Sequence, residues 1–514
     1  MSGKVISGER ELSIEELAQR AAKAAKGLEE LGVNAGDAVA ILMRNDIPFI
    51  EATMAARMMG AFPVPINWHC SPDEVGYILH DCAAKVLVAH TDLLNRIIGH
   101  IPEKLEIFAV PTPPDVQAVY GLSPDSCSIP SVAVQWSSWL EEFSHWSGIP
   151  KTGSSMIYTS GTTGRPKGVR RNPPTEQQNL TAAQKYSTIF GIASGMRTII
   201  PAPMYHAAPN AYALLAAQAG GTIVLQSRFD PEQFLQLIEE HAISHIQVVP
   251  TMFVRLLKLP EDIRNQYDVS SLKHIVHAAA PCPPEVKKAM IDWWGPVINE
   301  YYGSTEAQAV TYCTSEDALM KPGTVGRALP TVTLKILNEG GHELPVGEVG
   351  DIYMWDKENP NFTYHNDEKK RLAMEQQGLV TNGDMGYIDE DGFLFLCDRK
   401  IDMVISGGVN IYPAEVESVL ITHPGVQDCA VFGIPHPEYG ETLLAVIQPV
   451  ASNHPQVGQS LETGEIQAFL AEKLAGYKIP KIIEFQSVLP REESGKIFKR
   501  KLRAPYWENV ERKI

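Results

Sequence analysis

Between Asp37 and His90 the chain alternates short apolar runs with helical patterns, and that alternation constrains the fold more than any other feature. Asp37 to Met43, Ala61 to Ile66 and Lys85 to His90 read as buried strands, with Ile47 to Met59 and Glu74 to Ala83 as helices between them. Strands separated by a helix are brought back to the same end of a sheet, so the pattern predicts an α/β fold with a largely parallel sheet. Ahead of it, Ser13 and Glu16 form a capping-box pattern with Leu12 and Leu17 placed as the hydrophobic staple. Leu17, Ala21, Ala24, Leu28 and Leu31 then recur at helical spacing until Gly32. The stretch from Pro111 to Ser131, rich in Pro, Ser and Asp, predicts a loop or surface excursion. The alternation resumes with a strand at Thr198 to Ala202, a helix at Pro209 to Ala217 and a strand at Gly221 to Gln226. A helix capped by Asp230 follows, then short strands at Ile246 to Val249 and Ile275 to His277.

The pattern changes twice toward the C-terminus. Thr331 to Met354 alternates as strands with a turn at Asn338 to Gly341, which predicts a small β unit. Beyond Arg399 come a helix (Ala414 to Ile421), two strands (Ala430 to Ile434, Thr442 to Pro449) and a helix (Glu465 to Ala475). That is a compact α+β unit of about a hundred residues, a plausible independent size. Its last segment is basic.

At 514 residues the chain is long enough for two or more domains. With 44 Lys and Arg against 61 Asp and Glu, the net charge is −17, which argues against a general binder of nucleic acid or anionic membrane. The 7 cysteines are scattered with no Cys-x-x-Cys, so neither a disulfide framework nor a metal cluster is expected, and a reducing cytoplasm suits them. No signal peptide and no transmembrane helix is expected.

One loop carries the clearest chemistry. Met156, Ile157 and Tyr158 end a strand that empties into Thr159, Ser160, Gly161, Thr162, Thr163, Gly164, Arg165, Pro166, Lys167 and Gly168. Glycines 161, 164 and 168 let the backbone turn its N–H groups into one concavity, four hydroxyls add donors, and Lys167 adds charge; together they suit a polyphosphate. It is not a Walker A loop, since Lys167 is followed by glycine. Other candidates are weak singly: His206 after a strand, Glu306 as a hard oxygen ligand for Mg²⁺, Tyr302 as a stacking face, and Asp384 as a ribose acceptor. Lys496, in Ser494-Gly495-Lys496, reads alone as a solvated lysine.

Taken in order, these residues resemble the adenylate-forming superfamily of acyl-CoA synthetases, luciferases and peptide-synthetase adenylation domains. Tyr158 to Gly168 matches its phosphate loop, Tyr302 to Glu306 its Tyr-Gly-x-Thr-Glu motif, and Gly383-Asp384 its ribose aspartate. Asp398-Arg399 resembles the arginine at the hinge, Ser406 to Glu415 the loop after it, and Leu489 to Lys496 the catalytic-lysine motif. The resemblance spans about Leu12 to Arg503. It implies a large multi-subdomain N-terminal α/β domain (1–398), a hinge (399–402) containing Ile401, and a small mobile C-terminal α+β domain (403–514).

The implied reaction is ATP-dependent ligation of a carboxylate to coenzyme A through an acyl-adenylate. Thr159 to Lys167 would hold the β- and γ-phosphates and Glu306 would bind Mg²⁺. Tyr302 would stack on adenine, with Glu300 and the Ala279-Ala280 backbone near its edge and Tyr301, Gly303, Ser304 and Thr305 completing the nucleotide wall. Asp384 and Arg399 would grip the ribose, and Lys496 would bridge carboxylate and α-phosphate. After rotation at the hinge, Gly407 and Gly408 would line the pantetheine tunnel, with His206 beside the acyl carbonyl.

The chain departs from the family pattern in three places. The hinge residue is Ile401 instead of Asp or Lys, the ribose motif is Thr-Asn-Gly-Asp instead of Thr-Gly-Asp, and the N-terminus starts close to the first helix. Loading of a carrier-protein phosphopantetheine is the alternative to CoA, and a non-catalytic nucleotide binder is a third reading. A homodimer is a further possibility. Alanines 207, 208, 211, 278, 279, 280, 307 and 309 imply a roomy apolar pocket, favouring a medium or long fatty acid or a bulky ring acid over acetate.

Overall fold

The computed structural model describes residues 3–151, 153–159, 165–450, 461–491 and 497–508. The chain forms two compact units. One is the chain up to Val248 with Pro260–Val276 and Glu358–Met374; the other is Val249–Leu259, His277–Lys357 and the chain from Glu375 on.

In the first unit the predicted alternation closes into a five-stranded parallel sheet. Its order is Phe62–Pro65, Ala38–Leu42, Ala84–His90, Glu106–Val110 and Val134–Gln135. Ala38–Leu42 is buried along its whole length, as a central strand covered on both faces must be. The helix Ile14–Glu30 starts at the predicted capping box, with Ser13 and Glu16 each satisfying the other's backbone N–H. The helix Ile47–Met59 is capped by Asp46, which is fully buried and also meets His90 and Arg10. A second sheet runs Arg10–Ser13, Lys4–Ser7, Thr222–Leu225, Arg197–Ile200, His245–Val248 and His274–His277. The predicted loop at 111–131 is partly helical, because Pro114 sits in the first turn, where its missing N–H costs nothing, and the helix Pro114–Tyr120 ends at left-handed Gly121.

The second unit is built on an antiparallel sheet. Ile298–Ser304, Gln308–Cys313, Thr324–Ala328, Phe393–Arg399, Asp384–Ile388 and Gly350–Asp356 lie side by side, with Val332–Leu337 also on Gly350–Asp356. The predicted α+β segment follows. The long hairpin of Val426–His436 and Gly440–Pro449 carries Val404–Ser406 and, in parallel, Ile482–Phe485. Val416, Leu420, Ile466 and Leu470 from its two helices bury against the sheet.

Candidate active site

In the first unit, Ile157–Thr159 pairs antiparallel with Lys167–Arg171, so Thr159 and Lys167 face each other at the base of the glycine-rich connection. Ser160, Gly161, Thr162, Thr163 and Gly164 lie outside the described residues. Gly168 corrects the expectation of a left-handed turn there. It is a strand residue, and an added Cβ would sit 3.0 Å from the Tyr158 ring, so close packing and not backbone conformation selects glycine. The hairpin's far edge is Phe362–Tyr364, from much later in the chain. Just beyond that strand, Asp367 lies 3.3 Å from Lys167 Nζ and caps the helix Glu368–Ala373. The Lys370 amide and then Lys167 hold the Asp367 carboxyl below its ordinary value.

His206 is half-buried at the N-cap of the helix Ala207–Gln218, its ring tilted on that of Tyr205 at 4.4 Å. Most of that helix is buried, yet Ala207, Ala208 and Ala211 stay half-exposed on the turn beside His206.

The second unit carries the other candidates. In Ile298–Ser304 the side chains alternate, and Ile298, Glu300 and Tyr302 point to the buried face. The strand turns back after a bulge at Tyr302 and Gly303. A Cβ on Gly303 would lie 1.9 Å from the Gln308 carbonyl oxygen, so only glycine closes this turn. The Ser304 hydroxyl then accepts the N–H groups of Glu306 (3.1 Å) and Ala307 (2.9 Å), which fixes the backbone that carries Glu306. Tyr301, Thr305 and Glu306 are half-buried.

Tyr302 is buried among Ala307, Val310, Val325, Ile352 and Leu394, and its hydroxyl donates to Asp384 Oδ2 at 2.7 Å. Burial, reinforced by Asp384, pushes that phenol well above its ordinary value. Asp384 also faces Arg399 in register, with Nε 3.5 Å from Oδ1. The structure therefore joins Tyr302, Asp384 and Arg399 into one cluster.

Glu300 occupies a different setting. Its carboxylate is paired with the buried Lys287 ammonium, and His277 Nδ1 is 3.7 Å away. Burial raises the Glu300 carboxyl, while Lys287 pulls it back. The Glu300 carboxylate is therefore engaged inside the core. Residues 298–302 read Ile-Asn-Glu-Tyr-Tyr, with no apolar–polar alternation to announce the burial of Glu300, and nothing in sequence pointed to Lys287 or Asp367. Next to His277, Ala279 is exposed with φ of 76°, a left-handed conformation costing an alanine about 1 kcal/mol. Ala280 beside it is half-buried.

Gly407 and Gly408, at φ of 58° and 84°, form the two-residue turn between Val404–Ser406 and Val409–Ile411. Positive φ at both positions is what such a hairpin turn demands. Ile401 is exposed; the charge it lacks stands next door in Asp402, 3.4 Å from Arg503. Lys496 lies outside the described residues. Its flanks are pinned by Arg491, bidentate on Asp428 at 2.5 and 2.6 Å, and by Lys499 on Glu417 at 2.8 Å.

Among the described residues no group of three or more His, Cys, Asp or Glu could enclose a metal. Mg²⁺ keeps most of its waters and is bound through one or two carboxylates plus substrate phosphates, so a site for it draws on few protein ligands. Glu306, half-buried on the turn that Ser304 fixes, carries a carboxylate of the kind such a site uses.

The family profile for AMP-binding enzymes matches residues 3–359, and that for the AMP-binding enzyme C-terminal domain matches 415–496. The chain belongs to the AMP-binding enzyme family. A feruloyl-CoA synthase of an Amycolatopsis species is 32% identical to this AMP-binding enzyme, covering 96% of this chain and 93% of its own. A long-chain-fatty-acid–CoA ligase of Mycobacterium tuberculosis is 30% identical, covering 94% and 91%. An anthranilate CoA ligase solved with anthranoyl-AMP superposes with a TM-score of 0.84 at 26% identity, covering 98% and 94%. The enzyme is accordingly an AMP-forming acyl-CoA synthetase that uses ATP, Mg²⁺ and coenzyme A. Among the described residues no helix is long and apolar enough to cross a membrane.

Proposed function

We propose that the acid ligated by this acyl-CoA synthetase is bulky: a ring carboxylic acid or a medium- or long-chain fatty acid. The half-exposed alanine face of Ala207, Ala208 and Ala211 beside His206 carries this reading. Small side chains at partly open positions leave volume that acetate would not fill. The relatives support it, since by name they act on ferulate, long-chain fatty acids and indoleacetate.

A carboxylate oxygen attacks the α-phosphorus, the bond to pyrophosphate breaks, and an acyl-adenylate remains. The CoA sulfur then attacks the acyl carbon, the thiol proton leaves to solvent, and AMP departs. Reacting anions must be brought together, so positioning and cationic stabilisation dominate. We assign Thr159 and Lys167, with Ser160 to Gly164, to the β- and γ-phosphates. Glu306 goes to Mg²⁺, which would screen the phosphate charge. Asp384 and Arg399 go to the ribose, and Tyr302, whose hydroxyl holds Asp384, goes to the adenine face. The Ala279-Ala280 backbone is assigned to adenine, Lys496 to the α-phosphate, and Gly407, Gly408 and His206 to the thiol's approach. The functional division is 1–398, a hinge at 399–402 and 403–514. The 7 scattered cysteines, with no Cys-x-x-Cys, suit a cytoplasmic enzyme.

The test is a panel of acids from acetate to ferulate, indoleacetate and dodecanoate with ATP, Mg²⁺ and CoA, following AMP and thioester by mass spectrometry. Acetate as the best substrate would overturn the bulky-acid reading. AMP without thioester for every acid would point to a carrier protein as acceptor.

A further inference from the structure

Asn45 makes more hydrogen bonds than any role in helix or strand formation requires. It follows the C-terminal end of Ala38–Leu42 and is 4% exposed. Its amide nitrogen reaches the carbonyl oxygens of Ile200 (3.1 Å), Ala202 (3.0 Å) and Gln226 (3.2 Å), and its carbonyl oxygen accepts the Met204 N–H at 2.8 Å. Two amide hydrogens serve three carbonyls, so the side chain's donor capacity is fully used. Ile200 ends the strand Arg197–Ile200, and Gln226 follows the strand Thr222–Leu225. One side chain from the first sheet thus fastens the ends of two parallel strands of the second.

What it fastens is the turn 201–206, which leads into His206. Residues 201–205 are all buried, and the turn closes on itself through the His206 N–H donating to the Pro203 carbonyl at 3.2 Å. The Asn210 N–H donates to the His206 carbonyl at 3.2 Å, and Asn210 Oδ1 accepts the Ser155 hydroxyl at 3.0 Å, immediately before the strand Ile157–Thr159. From the other side Trp68 packs edge-on against Tyr205 at 6.4 Å, and the Arg44 guanidinium, bound to Asp92 at 2.9 Å, lies 5.1 Å from the Trp68 ring. Asn45 is the side chain that meets the backbone of this turn at Ala202 and Met204.

We propose that Asn45 is a positioning residue for the acyl half of the reaction, acting through His206 by fixing the turn that carries it. This rests on the assignment of His206 made above. Buried unpaired carbonyls are costly, so losing the Asn45 amide makes the turn move or admit water. A displacement of about 1 Å at a reacting group is enough to lose about a hundredfold in rate.

Asn45→Asp is the sharpest probe. It keeps the volume and replaces the donor with an acceptor facing three carbonyls. With ferulate as the acid, or dodecanoate should that turn over faster, thioester formation by N45D should fall about tenfold or more. The KM for ATP in pyrophosphate exchange should stay within about twofold, because the phosphate-holding residues are untouched. In a His206→Ala background, N45D should add less than about twofold, since residues acting as one unit are not additive. Were N45D not to fold, Asn45→Ala, which leaves room for a water on the three carbonyls, takes its place in the same assays. A lowered melting temperature with unchanged thioester kinetics of the folded enzyme would overturn the proposal, as would losses that multiply in the double variant. An impaired H206A beside an unimpaired N45D brings down this inference alone. A fully active H206A brings down the assignment of His206 and this inference with it.

Discussion

Lys287→Met should destabilise the enzyme in a pH-dependent way whose slope is fixed by one proton. Lys287 and Glu300 are 5% and 3% exposed, and among the described residues the ammonium's hydrogen-bond partners are the Glu300 carboxylate and the Thr324 carbonyl, the latter at 3.4 Å. Methionine keeps the aliphatic stem and removes the charge, leaving Glu300 a buried anion without a cation. The folded variant escapes by protonating Glu300. In the unfolded chain that carboxyl keeps its ordinary value of 4.5 and is ionised at neutral pH. The folded state therefore binds one more proton than the unfolded state, and stability falls by about 1.4 kcal/mol for each pH unit above that value.

Through this one proton the variant's own stability should fall by about 2.7 kcal/mol between pH 5 and pH 7, and the difference from wild type is smaller by whatever part of that fall wild-type Glu300, itself raised by burial, undergoes. His277, 3.7 Å from Glu300, is the other possible proton acceptor. Burial drives its imidazole well below its ordinary value, and a neutral Glu300 beside a neutral His277 leaves no charge in the core, so Glu300 should take the proton. Urea unfolding of both proteins at about pH 5, 6 and 7, followed by tryptophan fluorescence, reads the difference. A slope beginning only above about pH 6.5 would place the proton on His277. A loss that did not change with pH would refute the reasoning.

Three further outcomes follow from the site. Lys496→Ala should slow adenylation by about 10²–10³-fold while thioester formation from a synthetic acyl-adenylate suffers much less; equal losses in both halves would contradict the assignment. Tyr302→Phe removes the 2.7 Å bond to Asp384. It should raise the KM for ATP about tenfold, the weight of one hydrogen bond to a charged group, with little change in the KM for the acid. Gly303→Ala places a Cβ 1.9 Å from a backbone oxygen, so the Ser304–Glu306 turn must open. Pyrophosphate exchange should drop by about 10², and added Mg²⁺ should not restore it if the turn, and not metal affinity alone, is what is lost.

Local rules carried the sequence reading a long way. The capping box at Ser13, the helix Ile47–Met59 and the parallel strands between Ala38 and His90 appear where short-range periodicity put them, because each is decided by neighbours within a few residues. Proline misled at 111–131, where one in a first helical turn is compatible with a helix. The helix Glu176–Phe190 escaped notice because polar residues dominate its whole length and only Ile189 and Phe190 are buried. The candidate site was legible as a set of motifs but not as a set of contacts. Tyr302 with Asp384, Lys167 with Asp367 and Asn45 with Ala202 join residues brought together by sheet order alone. No periodicity encodes such pairs.

The pairing of Lys167 with Asp367 bears on how a nucleotide is chosen. On the proposed assignment of Lys167 to the phosphates, a polyphosphate would not meet a bare ammonium but would exchange one anion, Asp367, for another. The gain from that exchange is a difference, small for a monoanion and larger for a triphosphate that spreads several charges over the same loop. Both side chains are partly exposed, at 22% and 28%, so salt weakens the resting pair as well as the pair that replaces it. Those two effects oppose each other in the apparent affinity. A lysine held this way discriminates by charge while staying comparatively indifferent to ionic strength.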